Sequence, residues 1–268
     1  MSTPPLWILS RGNPDRPAVV FLHGFLGDGT DWAPVADLVE DDVHCVLVDL
    51  PGHGRSAAPD PAAPVAAFAR DLSAALSQTV RGPFVLCGYS MGARLGLPAL
   101  AEGLPAPVGL VLESGNPGIV DPVARAERRE RDLALAARLR SNPVAFLREW
   151  YEQPLFASLM KKPALLSRLR MERANINAPA VSAALAAFSP GIMPDAWSVL
   201  RSLACPVLAL AGELDTAYAE TAPKIAAAAS RGAARILPGV GHNLHREDPE
   251  AFAEALLEFV HSIERTPA

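Results

Sequence analysis

Short apolar runs rich in Val and Leu alternate with helix-compatible stretches along most of the chain. That alternation restricts it to a mostly parallel sheet with crossover helices. Strands are predicted at Ala18–Leu22, His44–Asp49, Phe84–Gly88, Val108–Ser114, Pro206–Gly212 and Ala234–Leu237, with a weakly marked earlier one around Leu6–Ser10. Helices are predicted at Val65–Gln78, Ser90–Glu102, Thr221–Ser230 and Pro249–Glu264. The segment from Asn116 to Arg201 breaks the rhythm. It holds no convincing strand, and its apolar residues (Leu133, Ala136, Ala137, Leu139; Phe146, Leu147, Trp150, Tyr151) recur at helical spacing. An insertion there would lie over the carboxyl ends of the strands, where open α/β sheets bind ligands. The expected organisation is a core of residues 1–115 and 202–268 with a helical cap of residues 116–201.

Composition narrows the function classes. A length of 268 residues with 50% hydrophobic residues suits one large α/β domain with a substantial core. No run approaches the roughly 18–20 apolar residues of a membrane span, and the N-terminus lacks the layout of a secretory signal, so a cytoplasmic protein is expected. Cys45, Cys87 and Cys205 lack CxxC spacing and are odd in number, which argues against a disulfide framework and a zinc site. The net charge of −5 gives no support to nucleic-acid binding. The charge is uneven, however: between Asp121 and Arg173 twelve Lys/Arg face seven Asp/Glu. Solvated faces of amphipathic helices account for most of these arginines, yet a positive element on a negative body also suits an anionic ligand.

Gly88-Tyr89-Ser90-Met91-Gly92 fits G-x-S-x-G between an apolar run (Phe84–Cys87) and a helix-compatible one (Ala93–Leu97), which is the strand–turn–helix context of a nucleophile elbow. The turn lifts Ser90 Oγ off the sheet at a helix N-terminus, where the dipole favours negative charge. A serine hydroxyl needs a base. The chain order Ser, Asp/Glu, His directs the choice to His242, which follows the last predicted strand, with His245 as its near rival. Asp215, in the turn Gly212-Glu213-Leu214-Asp215, is the expected carboxylate partner, with Glu213 as the alternative. The amides of Phe25, in His23-Gly24-Phe25, and of Met91 should form an oxyanion hole. His23, Asp49 and His53 are read as loop-bracing.

The whole set resembles one family. His23-Gly24-Phe25-Leu26-Gly27, Asp49-Leu50-Pro51-Gly52-His53-Gly54, the elbow with Arg94, Glu113-Ser114-Gly115-Asn116-Pro117-Gly118, Trp150-Tyr151-Glu152-Gln153-Pro154-Leu155-Phe156 and Gly241-His242-Asn243 occur in order over nearly the whole chain. They are similar to MenH, the 2-succinyl-6-hydroxy-2,4-cyclohexadiene-1-carboxylate synthase of menaquinone biosynthesis. The resemblance implies an α/β-hydrolase fold and a lyase that eliminates pyruvate from 2-succinyl-5-enolpyruvyl-6-hydroxy-3-cyclohexene-1-carboxylate. It implies Ser90 as a base activated by His242 and Asp215, and no cofactor or metal. Arg94 and Arg128 are implied carboxylate binders for a small polyanionic metabolite, and Tyr89, Trp150 and Tyr151 an aromatic wall. A monomer or weak homo-oligomer is expected. The departures are Ser114, where the family has Gly, and Asn116, where it often has His. Two other classes compete: a carboxylesterase or thioesterase using the same three residues for acyl transfer, and a hydrolase-like ligand sensor.

Overall fold

The computed structural model describes residues 5–265. In chain order the strands are β1 (Trp7–Arg11), β2 (Ala18–Leu22), β3 (His44–Asp49), β4 (Phe84–Tyr89), β5 (Gly109–Glu113), β6 (Val207–Gly212) and β7 (Gly232–Leu237). The helices are α1 (Ala33–Val39), α2 (Pro64–Thr79), α3 (Met91–Ala101), α4 (Pro122–Ser141), α5 (Pro143–Trp150), α6 (Ala157–Met160), α7 (Pro163–Glu172), α8 (Ala178–Ala187), α9 (Trp197–Ser202), α10 (Thr216–Ala228), α11 (Leu244–Glu247) and α12 (Pro249–Glu264). Among these described residues no helix is long and apolar enough to cross a membrane.

The seven strands lie in the order β1-β3-β2-β4-β5-β6-β7, with β1 antiparallel to β3 and every other pairing parallel. Strands β2 to β6 are buried at every residue, so their sequences read as unbroken apolar runs. Alternate side chains feed two core layers. Val20, Leu22, Val46 and Leu86 pack with α2, α3, α9 and α10, whereas Val19, Phe21, Leu47 and Val85 pack with α1 and α12. The edge strands β1 and β7 are mostly exposed or half-buried, which explains why β1 is weakly marked in sequence.

Strand order reverses between β2 and β4. That reversal opens the crevice at their carboxyl ends and places the loop after β2 beside the elbow after β4. Close approach is enforced at Gly92: a Cβ there would lie 2.3 Å from the Leu22 carbonyl oxygen and 2.7 Å from that of His23.

Two details differ from the sequence reading. Helix α10 begins at Thr216, directly after Asp215, five residues earlier than predicted. Helix α1 was not foreseen; it is seven residues long and has no side-chain N-cap bond to announce it.

Between β5 and β6 the chain forms only helices. Leu139, Phe146, Leu147, Ala178 and Val181 of this insertion bury Leu26 and pack on Phe25, so they cover the loop after β2. At its far end α9 packs against α3 and α10, with Leu200 in the main core.

Candidate active site

The elbow is built by exclusion. Ser90 has φ +48° and ψ −101°, a strained turn that L residues rarely adopt. A Cβ at Gly88 would lie 2.6 Å from the Ala93 nitrogen, so only glycine lets the helix double back on the strand. The Ser90 N–H donates to the Glu113 carbonyl at 2.9 Å, pinning the turn to β5.

Ser90 and Asp215 share a local feature. Each occupies the N-cap position of a helix, α3 and α10, and neither side chain caps it. An N-cap bond stabilises by about 1 kcal/mol, and both residues commit their side chains elsewhere. His242 Nδ1 lies 2.6 Å from Asp215 Oδ2, and His242 Nε2 lies 3.1 Å from Ser90 Oγ. With Nδ1–H donating to the carboxylate, Nε2 is left to accept the serine proton. His242 and Asp215 are buried, and Ser90 is partly exposed. The arrangement can remove a proton from Ser90 and hold the resulting imidazolium against a carboxylate.

The alternatives to these residues are occupied otherwise. Glu213 is exposed, and its carboxylate accepts from the Gly239 N–H at 2.9 Å. His245 lies on the first turn of α11 but is fully buried, with Nδ1 at 2.8 Å and 2.9 Å from the two Glu113 carboxyl oxygens. His23 Nδ1–H donates to the Gly24 carbonyl at 2.7 Å while its Nε2 accepts from Leu50 N–H at 2.9 Å. Asp49 accepts from Gly29 and Arg55 N–H groups, so His23 and Asp49 tie the loops after β2 and β3 together.

Phe25 follows β2 and Met91 follows Ser90, and the Gly92 contact draws their two backbone stretches together. Phe25 is half-buried, its ring 5.0 Å from Trp150, which in turn stacks on Phe146. Tyr89 is buried with its ring 5.4 Å from His242. Tyr151 is buried as well: it packs on Phe156, and Arg173 lies near enough to work against the rise that burial gives its hydroxyl pKa.

The arginines sort cleanly. Arg94, one turn beyond Ser90, carries a buried Nη1 with no hydrogen-bond partner. Burial pushes its pKa down to about 10, and the nearby Arg128 adds to the fall. Arg128 is half-buried and donates Nε–H to both oxygens of the buried Asp132, at 3.0 Å and 2.9 Å, while Ser189 Oγ donates to Asp132 at 2.6 Å. Its neighbours Arg129 and Arg131 are exposed, and Arg125 donates to the Met193 carbonyl. Arg94 and Arg128 thus lie within electrostatic reach of each other, and the buried Asp132 is already bonded to Arg128.

A family model described as "Alpha/beta hydrolase family" matches residues 19–255. The 2-succinyl-6-hydroxy-2,4-cyclohexadiene-1-carboxylate synthase of Salmonella enteritidis PT4 is 38% identical over 254 residues, covering 93% of this chain and 96% of that protein. The chain belongs to the α/β-hydrolase family, on its MenH branch. Among solved structures, MenH from S. aureus superposes with a TM-score of 0.88 at 28% identity, covering 97% of this chain and 99% of that one. A malate-bound thermophilic esterase from Thermogutta terrifontis superposes at 0.80 with 26% identity, over 96% and 93%.

Within this α/β-hydrolase site, three features escaped the sequence reading. Tyr218 stands on the first turn of α10, its ring 4.8 Å from that of His242, and burial raises its hydroxyl pKa. Its signal was its place three residues after Asp215, concealed by the late start predicted for α10. Asp132 looked like one more charge on an Arg-rich helix. The Glu113–His245 pair joins residues 132 positions apart and left no local mark.

Proposed function

We propose that the chain is a 2-succinyl-6-hydroxy-2,4-cyclohexadiene-1-carboxylate synthase, a cytoplasmic lyase of menaquinone biosynthesis that works without a cofactor. Ser90, His242 and Asp215 form its catalytic triad. In this reading His242 Nε2 takes the Ser90 proton, and the Ser90 oxygen abstracts the proton on ring carbon 2, beside the succinyl ketone. The enolate oxygen is held by the Phe25 and Met91 amides. A double bond forms between carbons 2 and 3 and the existing one shifts to carbons 4 and 5. The bond from carbon 5 to the enolpyruvyl oxygen breaks. Pyruvate leaves as its enolate and takes the proton from the imidazolium, so no acyl-enzyme is formed. Arg94 and Arg128 bind substrate carboxylates, Tyr89 and Trp150 wall the site, and Tyr151 supports them from the arginine network behind. The insertion, residues 116–201, serves as the cap over this crevice.

The observation that carries this reading over ester hydrolysis is Arg94, a half-buried residue whose buried Nη1 has no hydrogen-bond partner. A site for neutral esters gains nothing from that charge, whereas a polyanionic substrate supplies its partner. The likeness to an esterase keeps acyl transfer as the second reading, since the same triad serves both.

Purified protein offered the enolpyruvyl substrate should release pyruvate, and Ser90→Ala should lower the rate by on the order of 10³-fold or more. Fast cleavage of a p-nitrophenyl ester with no pyruvate released would reject the synthase. A Ser90→Ala protein within tenfold of the parent would reject Ser90 as the base.

A further inference from the structure

Glu113 takes no part in the proton transfers above, yet it touches both of their ends. It is fully buried at the last position of β5. Its backbone carbonyl holds the Ser90 N–H at 2.9 Å. Its carboxyl group reaches the other way, beneath the loop that carries His242. There it accepts from His245 N–H at 3.2 Å and meets His245 Nδ1 at 2.8 Å and 2.9 Å. The next residue continues the pattern: Ser114 Oγ donates to the His242 carbonyl at 2.9 Å, from a backbone held at φ +46°. Its own N–H is anchored to the Leu210 carbonyl at 2.8 Å. Two consecutive residues thus join the elbow to the base loop.

We infer that Glu113, assisted by Ser114, is a positioning residue that sets the approach of His242 Nε2 to Ser90 Oγ. The inference rests on the reading of Ser90 and His242 as the proton-transferring pair. Glu113 acts through shape. Burial raises its carboxyl pKa and lowers that of the His245 imidazole, so both shifts disfavour charge in the pair. What the pair supplies is a fixed span: the two carboxyl oxygens bridge the His245 amide and ring Nδ1, and the His245 ring is clamped by stacking on Trp32 with centroids 4.1 Å apart. An amide at position 113 offers one acceptor oxygen where the carboxyl group engages His245 through both of its oxygens. A misplacement of about 1 Å at a reacting pair can cost on the order of 100-fold in rate.

The test uses a small fluorophosphonate, which labels an activated serine and needs no carboxylate recognition. Glu113→Gln should slow labelling of Ser90 by on the order of tenfold, and Ser114→Ala by a smaller factor. In both, kcat for pyruvate release should fall in step with labelling while KM stays near the parent's, because Arg94 and Arg128 are untouched. Ser182→Ala is the control. It loses a buried hydrogen bond to the Ala136 carbonyl, 2.7 Å long and remote from the elbow, and should lower stability while labelling at the parental rate. Folded Glu113→Gln protein that labels as fast as the parent would overturn the inference. Should that variant not fold, a parental rate for Ser114→Ala overturns it equally. A parent that labels but releases no pyruvate would sink the synthase reading, and the labelling ratios would still decide this one.

Discussion

Arg94 and Arg173 are the same residue type and sit in opposite environments. Arg173, directly after α7 within the insertion, donates Nη2–H to both oxygens of the buried Asp31, at 2.7 Å and 2.6 Å. Arg246, four residues after His242, joins the same carboxylate at 3.0 Å and also grips Glu172. Burial alone would lower the Arg173 pKa, but Asp31 more than offsets it and holds the group above its usual value. Arg94 has the burial without the carboxylate, and its pKa moves the other way. The contrast separates two uses of buried charge. A guanidinium whose partner is in the protein ties the insertion to the core, and one whose partner is missing waits for a ligand.

Neutralising the shared carboxylate attacks the first use. Asp31→Asn should destabilise the fold by about 3–5 kcal/mol, because it leaves Arg173 and Arg246 buried around one lost charge. Urea unfolding measures this, and a loss under about 1 kcal/mol would mean that the two arginines re-pair without it. Arg94→Ala attacks the second use. It should cost about 2–4 kcal/mol in kcat/KM for the anionic substrate while leaving the unfolding midpoint unchanged or raised. An equal loss on a neutral ester, or a marked drop in stability, would place Arg94 with Arg173 as a brace.

Acid probes the brace from another side. His23 and His53 are buried, and burial lowers both pKa values, that of His53 to about 3. Arg173 opposes the charging of His53 further. The unfolded chain takes up these protons near the ordinary histidine value of about 6.5, and the folded one does not. Stability from these rings is therefore full above that value and is lost as the pH falls toward about 3. The loss should approach roughly 1.4 kcal/mol per pH unit for each ring. His53→Gln should make the midpoint less steep below pH 6.5, and an unchanged slope would show that His53 takes its proton in the folded state.

The fold and the three-residue core of the site were legible because both leave local marks. Fully buried parallel strands must be continuously apolar, and an elbow must carry glycines where backbone meets backbone, as at Gly88 and Gly92. The mostly exposed β1 and the short α1 leave weaker marks, and the sequence reading was correspondingly vague for the one and silent on the other.

Residue type and spacing alone put Ser90, Asp215 and His242 in chain order, and a family likeness raised Arg94, one turn past the elbow, and Arg128. Only the folded chain distinguished Arg128, half-buried on Asp132, from the exposed Arg129 and Arg131, and Arg94 from Arg173. It also placed Glu113 against His245 across 132 residues. The reason is that the effect of a charge depends on which opposite charge lies within a few ångströms and on how much water is excluded. Those quantities belong to contacts between distant segments, and no stretch of sequence encodes them by itself.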